Sequence, residues 1–288
     1  MSTTLNETPP APRPHLTIKP SSRWSALNLG EVWQFRDLLL TLATRDVKLR
    51  YRQTALGAIW VVLQPLVSAG IFALVFGKLA NFPSDGIPYF IFAFAGQLLW
   101  SAFSNTLTKA SGSLVGNTQL VSKVYFPRLI LPLSTIFSTM IDFAVALGMM
   151  IVLMVLYHVT PHLGLLLLPL WLLLTLLLAI GIGLVSAALT VSYRDVGFIL
   201  PVLTNFLQYA SPVAYGLAIV RTKLHGAALH AYFLNPMATL LECFRWSLFG
   251  RGHISWGYVL YAAVFALVCF IGGAFLFKKM ERRFADVI

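Results

Sequence analysis

Long apolar runs alternate with short clusters of charge along the chain, and the runs have the length of membrane-crossing helices. A helix needs about 20 mostly apolar residues to cross a hydrocarbon core of about 30 Å, because each residue rises about 1.5 Å and every backbone polar group must be satisfied within the segment. Gaps of that size lie between Arg52 and Lys78, between Asp85 and Lys109, and between Arg251 and Lys278. Arg128 opens another, interrupted only by Asp142; His158, Pro161 and His162 separate it from the next, and Asp195 to Arg221 encloses one more. The pattern predicts an all-α membrane protein with six transmembrane helices, at about 55–77, 88–108, 129–157, 164–192, 196–220 and 252–277.

Two further segments are apolar without being able to span. Over residues 31–53, Val32, Phe35, Leu38, Leu39, Leu42 and Val47 gather on one side of a helix, with Gln34, Asp37, Thr41, Thr44, Arg45, Lys48 and Arg52 on the other. Such a helix lies in the membrane interface with its basic side toward headgroups. It serves either as an anchor for the first span or as a surface that meets a membrane-bound substrate or partner. Residues 229–249 carry Leu240, Leu241, Phe244 and Leu248 but are interrupted by Asn235-Pro236 and hold Glu242 and Arg245. Two short helices that re-enter the outer leaflet, a periplasmic hairpin between spans 5 and 6, fit that mixture, since irregular backbone is tolerated where protein buries it. Residues 1–30, with Pro9, Pro10, Pro12, Pro14 and Pro20 among polar neighbours, read as a disordered cytoplasmic tail. That leaves 54–278 as the transmembrane domain and 279–288 as a second cytoplasmic tail.

Composition sharpens the class. Of 288 residues 58% are hydrophobic and only 11% charged, with a mean hydropathy of +0.79, where a soluble domain carries roughly 25% charged residues. Twelve of the 31 charges fall in residues 1–54 and six in the last eleven, so a catalytic domain of ordinary soluble type is excluded. No apolar run of seven residues precedes Leu38, so no signal peptide is expected. Cys243 and Cys269 lack metal-ligand spacing and read as small buried hydrophobes. Lys and Arg crowd three places: Arg45 to Arg52, Lys109 to Arg128, and Lys278 to Arg283. With six spans these share one side, which puts both termini in the cytoplasm. The exception is the outer loop 221–251, with Arg221, Lys223, Arg245 and Arg251, charges that a negatively charged cargo would use.

A phosphate-cradling G-x-x-x-x-G-K-[ST] sequence is missing, as are H-E-x-x-H and G-x-S-x-G. The expectation is a chain that is not an enzyme, with no catalytic residues, no metal and no cofactor of its own. Asp142 lies about 20 Å along its helix from Arg128. A carboxylate at that depth is a functional candidate by default. Protonation, or a bond to Ser138, Thr139 or a neighbouring helix, explains it; a proton-coupled carrier would need it. A membrane glycosyl- or acyltransferase would need more acid and base groups than Asp85, Asp142, Asp195 and Glu242 supply. Trp60, Tyr209 and Tyr215 are glycan candidates, because an amphipathic ring takes the apolar face of a sugar while its polar tip bonds hydroxyls; packing explains each ring singly.

The stretch Arg50-Tyr51-Arg52-Gln53-Thr54-Ala55-Leu56-Gly57-Ala58-Ile59-Trp60, followed by Leu63-Gln64-Pro65-Leu66, resembles the approach to the first span in ABC-2 type permeases that export polysaccharides and polyol phosphates. Leu120-Val121-Ser122-Lys123-Val124-Tyr125-Phe126-Pro127-Arg128 looks like that family's loop between spans 2 and 3. Tyr193-Arg194-Asp195-Val196, Ser211-Pro212-Val213 with Tyr215, and Asn235-Pro236-Met237 are similar to its later signatures, in order. The resemblance covers about residues 31–280. It implies a homodimer with a shared channel, two separate ABC ATPase subunits that hold ATP and Mg²⁺, a lipid-linked polysaccharide as substrate, contact with membrane lipid and no nucleic-acid partner. It further implies ATPase coupling through Asn117, Leu120, Lys123, Phe126, Pro127 and Arg128. Lys48, Arg50 and Arg52 become candidates for the gate and for the phosphates of the lipid anchor, though topology alone also accounts for them. Capsule exporters form a separate branch without the complete Arg-Tyr-Arg-Gln start, so an O-antigen exporter of the bacterial inner membrane is the nearest likeness, with capsule and teichoic acid exporters as alternatives. The Pro-rich start and the basic outer loop depart from the family pattern.

Overall fold

The computed structural model describes residues 29–52, 59–252 and 254–287, with backbone alone at 29, 31, 49–52, 282, 283 and 285–287. The tail expected over 1–30 therefore lies, but for its last two residues, outside the described residues. Every regular element among the described residues is helical. Helices α1 (Leu29–Gln34) and α2 (Arg36–Arg52) flank a turn at Phe35, and α3 (Ile59–Phe72) runs on into a π-helical stretch, Ala73–Leu79. Next come α4 (Tyr89–Gly112), the short α5 (Thr118–Lys123), α6 (Ile130–Leu156), α7 (Leu168–Ser192) and α8 (Val196–Ala210). Three short helices, α9 (Leu217–Lys223), α10 (Ala227–Phe233) and α11 (Pro236–Phe249), precede the long α12 (Trp256–Val287).

Five stretches are long and apolar enough to cross a membrane: Ile59–Leu79, Tyr89–Gly112, Ile130–Leu156, Leu163–Ser192 and Trp256–Glu281. They match expected spans 1 to 4 and 6 to within four residues at each end. The fifth expected span, 196–220, is corrected. Its helix stops at Ala210 after 15 residues, about 22 Å. Ser211 then takes an extended conformation (φ −97°, ψ 152°), and Pro212 has no N–H to carry a helix onward. Prolines also stand inside two helices, Pro65 in α3 and Pro201 in α8, where each removes one rung of the hydrogen-bond ladder.

Helix α4 is the core of the bundle: Ile91 through Trp100 is a continuous buried run, with α3, α6, α7, α8 and α11 packed around it. Helices α7 and α12 meet backbone to backbone. A Cβ on Gly273 would collide with the backbone of Gly181, and one on Gly181 with the backbone of Cys269. Small residues at such a crossing let dispersion act over the whole contact, which is how helices associate where water supplies no hydrophobic drive.

Helix α11 is buried on every side except at Trp246. Its start is set by sequence: Asn235 Oδ1 accepts from Met237 N–H at 3.0 Å, Pro236 follows in the first turn, and Gly250 ends the helix in the left-handed region (φ 66°). Trp171 of α7 donates its indole N–H to Ser247 Oγ at 2.7 Å and ties α11 to the bundle. The segment 229–249, where the sequence predicts two short helices broken at Asn235-Pro236, holds α10 and α11, and α9 stands where the fifth span was expected to end.

Candidate transport site

At one end of the bundle the apolar side of α2 rests on α6. Leu42 and Ala43 are buried, whereas Thr41, Thr44, Arg45 and Lys48 are exposed. Arg50 and Arg52 fall on the last turn of α2, and their side chains lie outside the described residues, as do positions 53–58 of the first signature. Arg45 donates to Asn117 Oδ1 at 2.8 Å, and Asn117 Nδ2 donates to Ser113 O at 2.9 Å, so α2 is fastened to the turn ahead of α5.

Beyond α5 the chain extends through Val124 to Pro127. Lys123, Val124 and Tyr125 are exposed, while Phe126 and Pro127 are buried and Leu120 is half-buried. Phe126 packs in a cluster with Leu42, Val121, Ile130 and Phe284. Arg128 Nη1 donates to Glu281 O at 2.9 Å, and its guanidinium stands 5.8 Å from the centroid of the Phe284 ring. The six residues of the expected coupling segment thus divide. Lys123 faces outward, and Phe126 and Arg128 hold the loop against α12.

Lys109, expected in the loop between spans 2 and 3, belongs instead to the last turn of α4. Its ammonium donates to Ser138 Oγ at 2.9 Å and lies 3.2 Å from Asp142 Oδ2. The ion pair explains how a carboxylate sits inside α6: a buried charge is tolerated where it is paired and hydrogen-bonded.

Two cavities meet at this pair. On the α2 side is a groove of about 390 Å³, lined by Asp46, Lys109, Ser113, Asn117, Ser134 and Ser138. Deeper in the bundle is a cavity of about 120 Å³ between α3, α4, α6 and α8, whose lining includes Gln64, Gln97, Asn105, Asp142, Asn205 and Gln208. Periodicity does not announce this carboxamide set. It becomes visible only when four helices bring their rare polar positions together.

The other end of the bundle is organised by Arg245. Its side chain is 2% exposed and donates to Val213 O at 2.5 Å and Tyr215 O at 3.2 Å. Gly96 makes room for it, since a Cβ there would collide with the guanidinium. Tyr89 donates to Ala214 O at 2.5 Å. Three successive carbonyls after the end of α8 are therefore satisfied by side chains, as buried backbone requires. Arg251 donates to the carbonyls of Asp85 and Gly86 at 3.1 and 2.5 Å, and Arg221 stands 5.9 Å from the centroid of the Phe233 ring. The basic outer segment is thus partly structural: Arg245 is corrected from a surface charge to a buried clamp, and Lys223 is exposed.

Of the three aromatic candidates, Tyr209 and Tyr215 meet, and Trp60 stands on another helix. Trp60 is 52% exposed on the first turn of α3 and Tyr209 61% exposed near the end of α8. Tyr215 is half-buried, donates to Tyr209 O at 3.1 Å and shares a hydrogen bond with Tyr232 at 3.2 Å.

A helical bundle with five helices long and apolar enough to cross a membrane defines a multi-pass membrane protein. The chain belongs to the ABC-2 type transporter family, whose pattern it matches over residues 37–249. It is 26% identical over 262 residues to the O-antigen export system permease protein RfbA of Klebsiella pneumoniae, covering 91% of this chain and 97% of that protein. Its identity to the protein of the same name from Myxococcus xanthus is 28% over 259 residues, 90% and 98% of the two chains. The polysialic acid transport protein KpsM of Escherichia coli is 26% identical over 249 residues, 83% of this chain and 92% of its own.

Proposed function

We propose that this chain is the membrane subunit of an ATP-driven exporter that moves a lipid-linked polysaccharide of the O-antigen type across the bacterial inner membrane. The observation that carries the reading is the likeness to O-antigen export permeases along nine-tenths of the chain. The likeness to KpsM, at 26% identity over 83% of the chain, keeps capsule export as the second reading.

In this reading the subunit hydrolyses nothing. ATP and Mg²⁺ are held by two partner ATPases, docked on the exposed Lys123-Val124-Tyr125 turn. That turn is clamped to α12 through Arg128, so a push on it reaches the bundle. Residues 31–53 lie in the interface and gate admission of the lipid anchor, with Lys48, Arg50 and Arg52 toward its phosphates. The bundle 54–278 crosses six times, α8 and the turns of Ser211–Gly216 together making the fifth crossing, and both tails lie in the cytoplasm. Helices α9 to α11 form the periplasmic re-entrant cover.

Two copies pair to enclose the route. Support for this comes from the outward apolar faces of α3, with Trp60, Val67 and Ile71, and of α8, with Phe198, Val202 and Tyr209, all exposed in the single chain. Either lipid or a second copy satisfies such faces, and pairing through them turns Trp60 and Tyr209 toward the cargo.

Deletion of the gene tests the reading. Loss of one surface polysaccharide with retention of its lipid-linked precursor inside the cell is expected. An unchanged surface, or failure of the purified chain to associate with its co-expressed ATPase, overturns it.

A further inference from the structure

We infer that the carboxamide-lined cavity between α3, α4, α6 and α8 is a binding station for the hydroxyl groups of an uncharged sugar residue; the inference rests on the export reading above. Carboxamides inside membrane-length helices are costly unless bonded, yet four helices direct polar residues to one place. Gln97 forms part of the floor, 7% exposed, and accepts from Gln208 Nε2 at 2.7 Å while its own Nε2 lies 3.4 Å from Ser101 Oγ. A carboxamide supports up to four hydrogen bonds, donors and acceptors both, so these contacts orient Gln97 and Gln208 and leave capacity toward the space they line. Gln64 and Asn205 line the same space and are exposed.

Electrostatics selects the ligand class. Asp142, the carboxylate in the lining, has its charge balanced by Lys109 at 3.2 Å. The station therefore carries no surplus charge to draw a phosphate or a cation. Its groups are neutral donors and acceptors, the set that exchanges with sugar hydroxyls. Trp100, also in the lining, adds an aromatic ring, and amphipathic rings suit the mixed apolar and polar surface of a sugar. The space measures about 120 Å³. It takes one edge of a single sugar and not a repeat unit, as suits a chain that must keep moving.

The test uses a deletion strain in which the wild-type gene restores the surface polysaccharide. The double variant Gln97→Leu/Gln208→Leu is expected to co-purify with its ATPase in wild-type yield and to lower surface polysaccharide at least tenfold, with precursor retained inside. Wild-type surface polysaccharide from that variant overturns the inference alone. A deletion that costs no polysaccharide overturns the export reading and this inference with it. Should the double variant fail to accumulate, Gln208→Cys in a chain carrying Cys243→Ala and Cys269→Ala decides. Labelling by a water-soluble maleimide is expected to be at least fivefold slower in membranes from cells making the polysaccharide than in membranes from cells blocked in its synthesis. Equal rates mean that the cavity holds water only, and overturn the inference.

Discussion

The guanidinium carbon of Arg245 stands 3.9 Å from the centroid of the Phe92 ring, and the same group donates to the carbonyls of Val213 and Tyr215. One side chain from α11 therefore meets α4 and closes the interrupted end of α8. Replacement by Met keeps much of the volume but leaves two buried carbonyls unsatisfied, at about 1–3 kcal/mol each, and removes the cation–π contact. Arg245→Met is expected to lower the melting temperature in detergent by well over 5 °C. Arg245→Lys, with a point charge in place of the fork, is expected to fall between that variant and the wild type.

The crossing of α7 and α12 supplies its own control. Gly273 is pressed against Gly181, whereas a Cβ on the adjacent Gly272 meets nothing within 4 Å. Gly273→Ala overpacks the contact at about 1–3 kcal/mol. Gly272→Ala is expected to leave the melting temperature unchanged or to raise it slightly, since alanine favours the helix by up to about 1 kcal/mol. Equal effects of the two substitutions in a thermal melt would contradict the close crossing.

Asp142 separates two mechanisms. Asparagine at this position still accepts a hydrogen bond from Lys109, so an ATP-driven exporter carrying Asp142→Asn is expected to retain at least half its surface polysaccharide. A proton-coupled carrier would lose all transport. Asp142→Leu removes the carboxylate beside a half-buried ammonium, and a drop in the amount of folded protein of several-fold is expected by quantitative immunoblot.

Within the loop from Lys123 to Arg128, proposed above to meet the ATPases, stability and motor contact should come apart. Phe126 is 5% exposed, and Phe126→Ala is expected to cost about 3–5 kcal/mol through the cavity it leaves. Lys123→Glu with Tyr125→Ala changes exposed side chains, so the melt should hardly move, while ATPase recovered on the purified permease should fall at least fivefold.

Much of this architecture is legible from charge spacing because long apolar helices obey one physical demand, satisfaction of the backbone within the segment. The end of α8 is not legible that way. Residues 211–220 are apolar enough to continue a span, and what stops them is Pro212 together with carbonyl partners on α4 and α11, a tertiary fact. Arg245 reads as a loop charge because nothing local says that Gly96 and Phe92 have left a place for it. Lys109 reads as the first residue of a cytoplasmic loop, whereas α4 continues one turn further and directs the ammonium back to Asp142. The Phe126 motif is visible in sequence, but only packing separates its buried ring from the exposed Lys123 and Tyr125 beside it.

Helix α4 is enclosed by neighbours over most of its length, which makes it the part of the bundle least free to shift. Any widening of the carboxamide cavity falls to α3 and α8, which touch α4 on one side and carry Pro65 and Pro201 in their interiors. A missing rung is where a rod bends most cheaply. Two single residues thus set where the wall of that cavity is most compliant, and a polymer chain moving as proposed would meet give at Pro65 and Pro201 first.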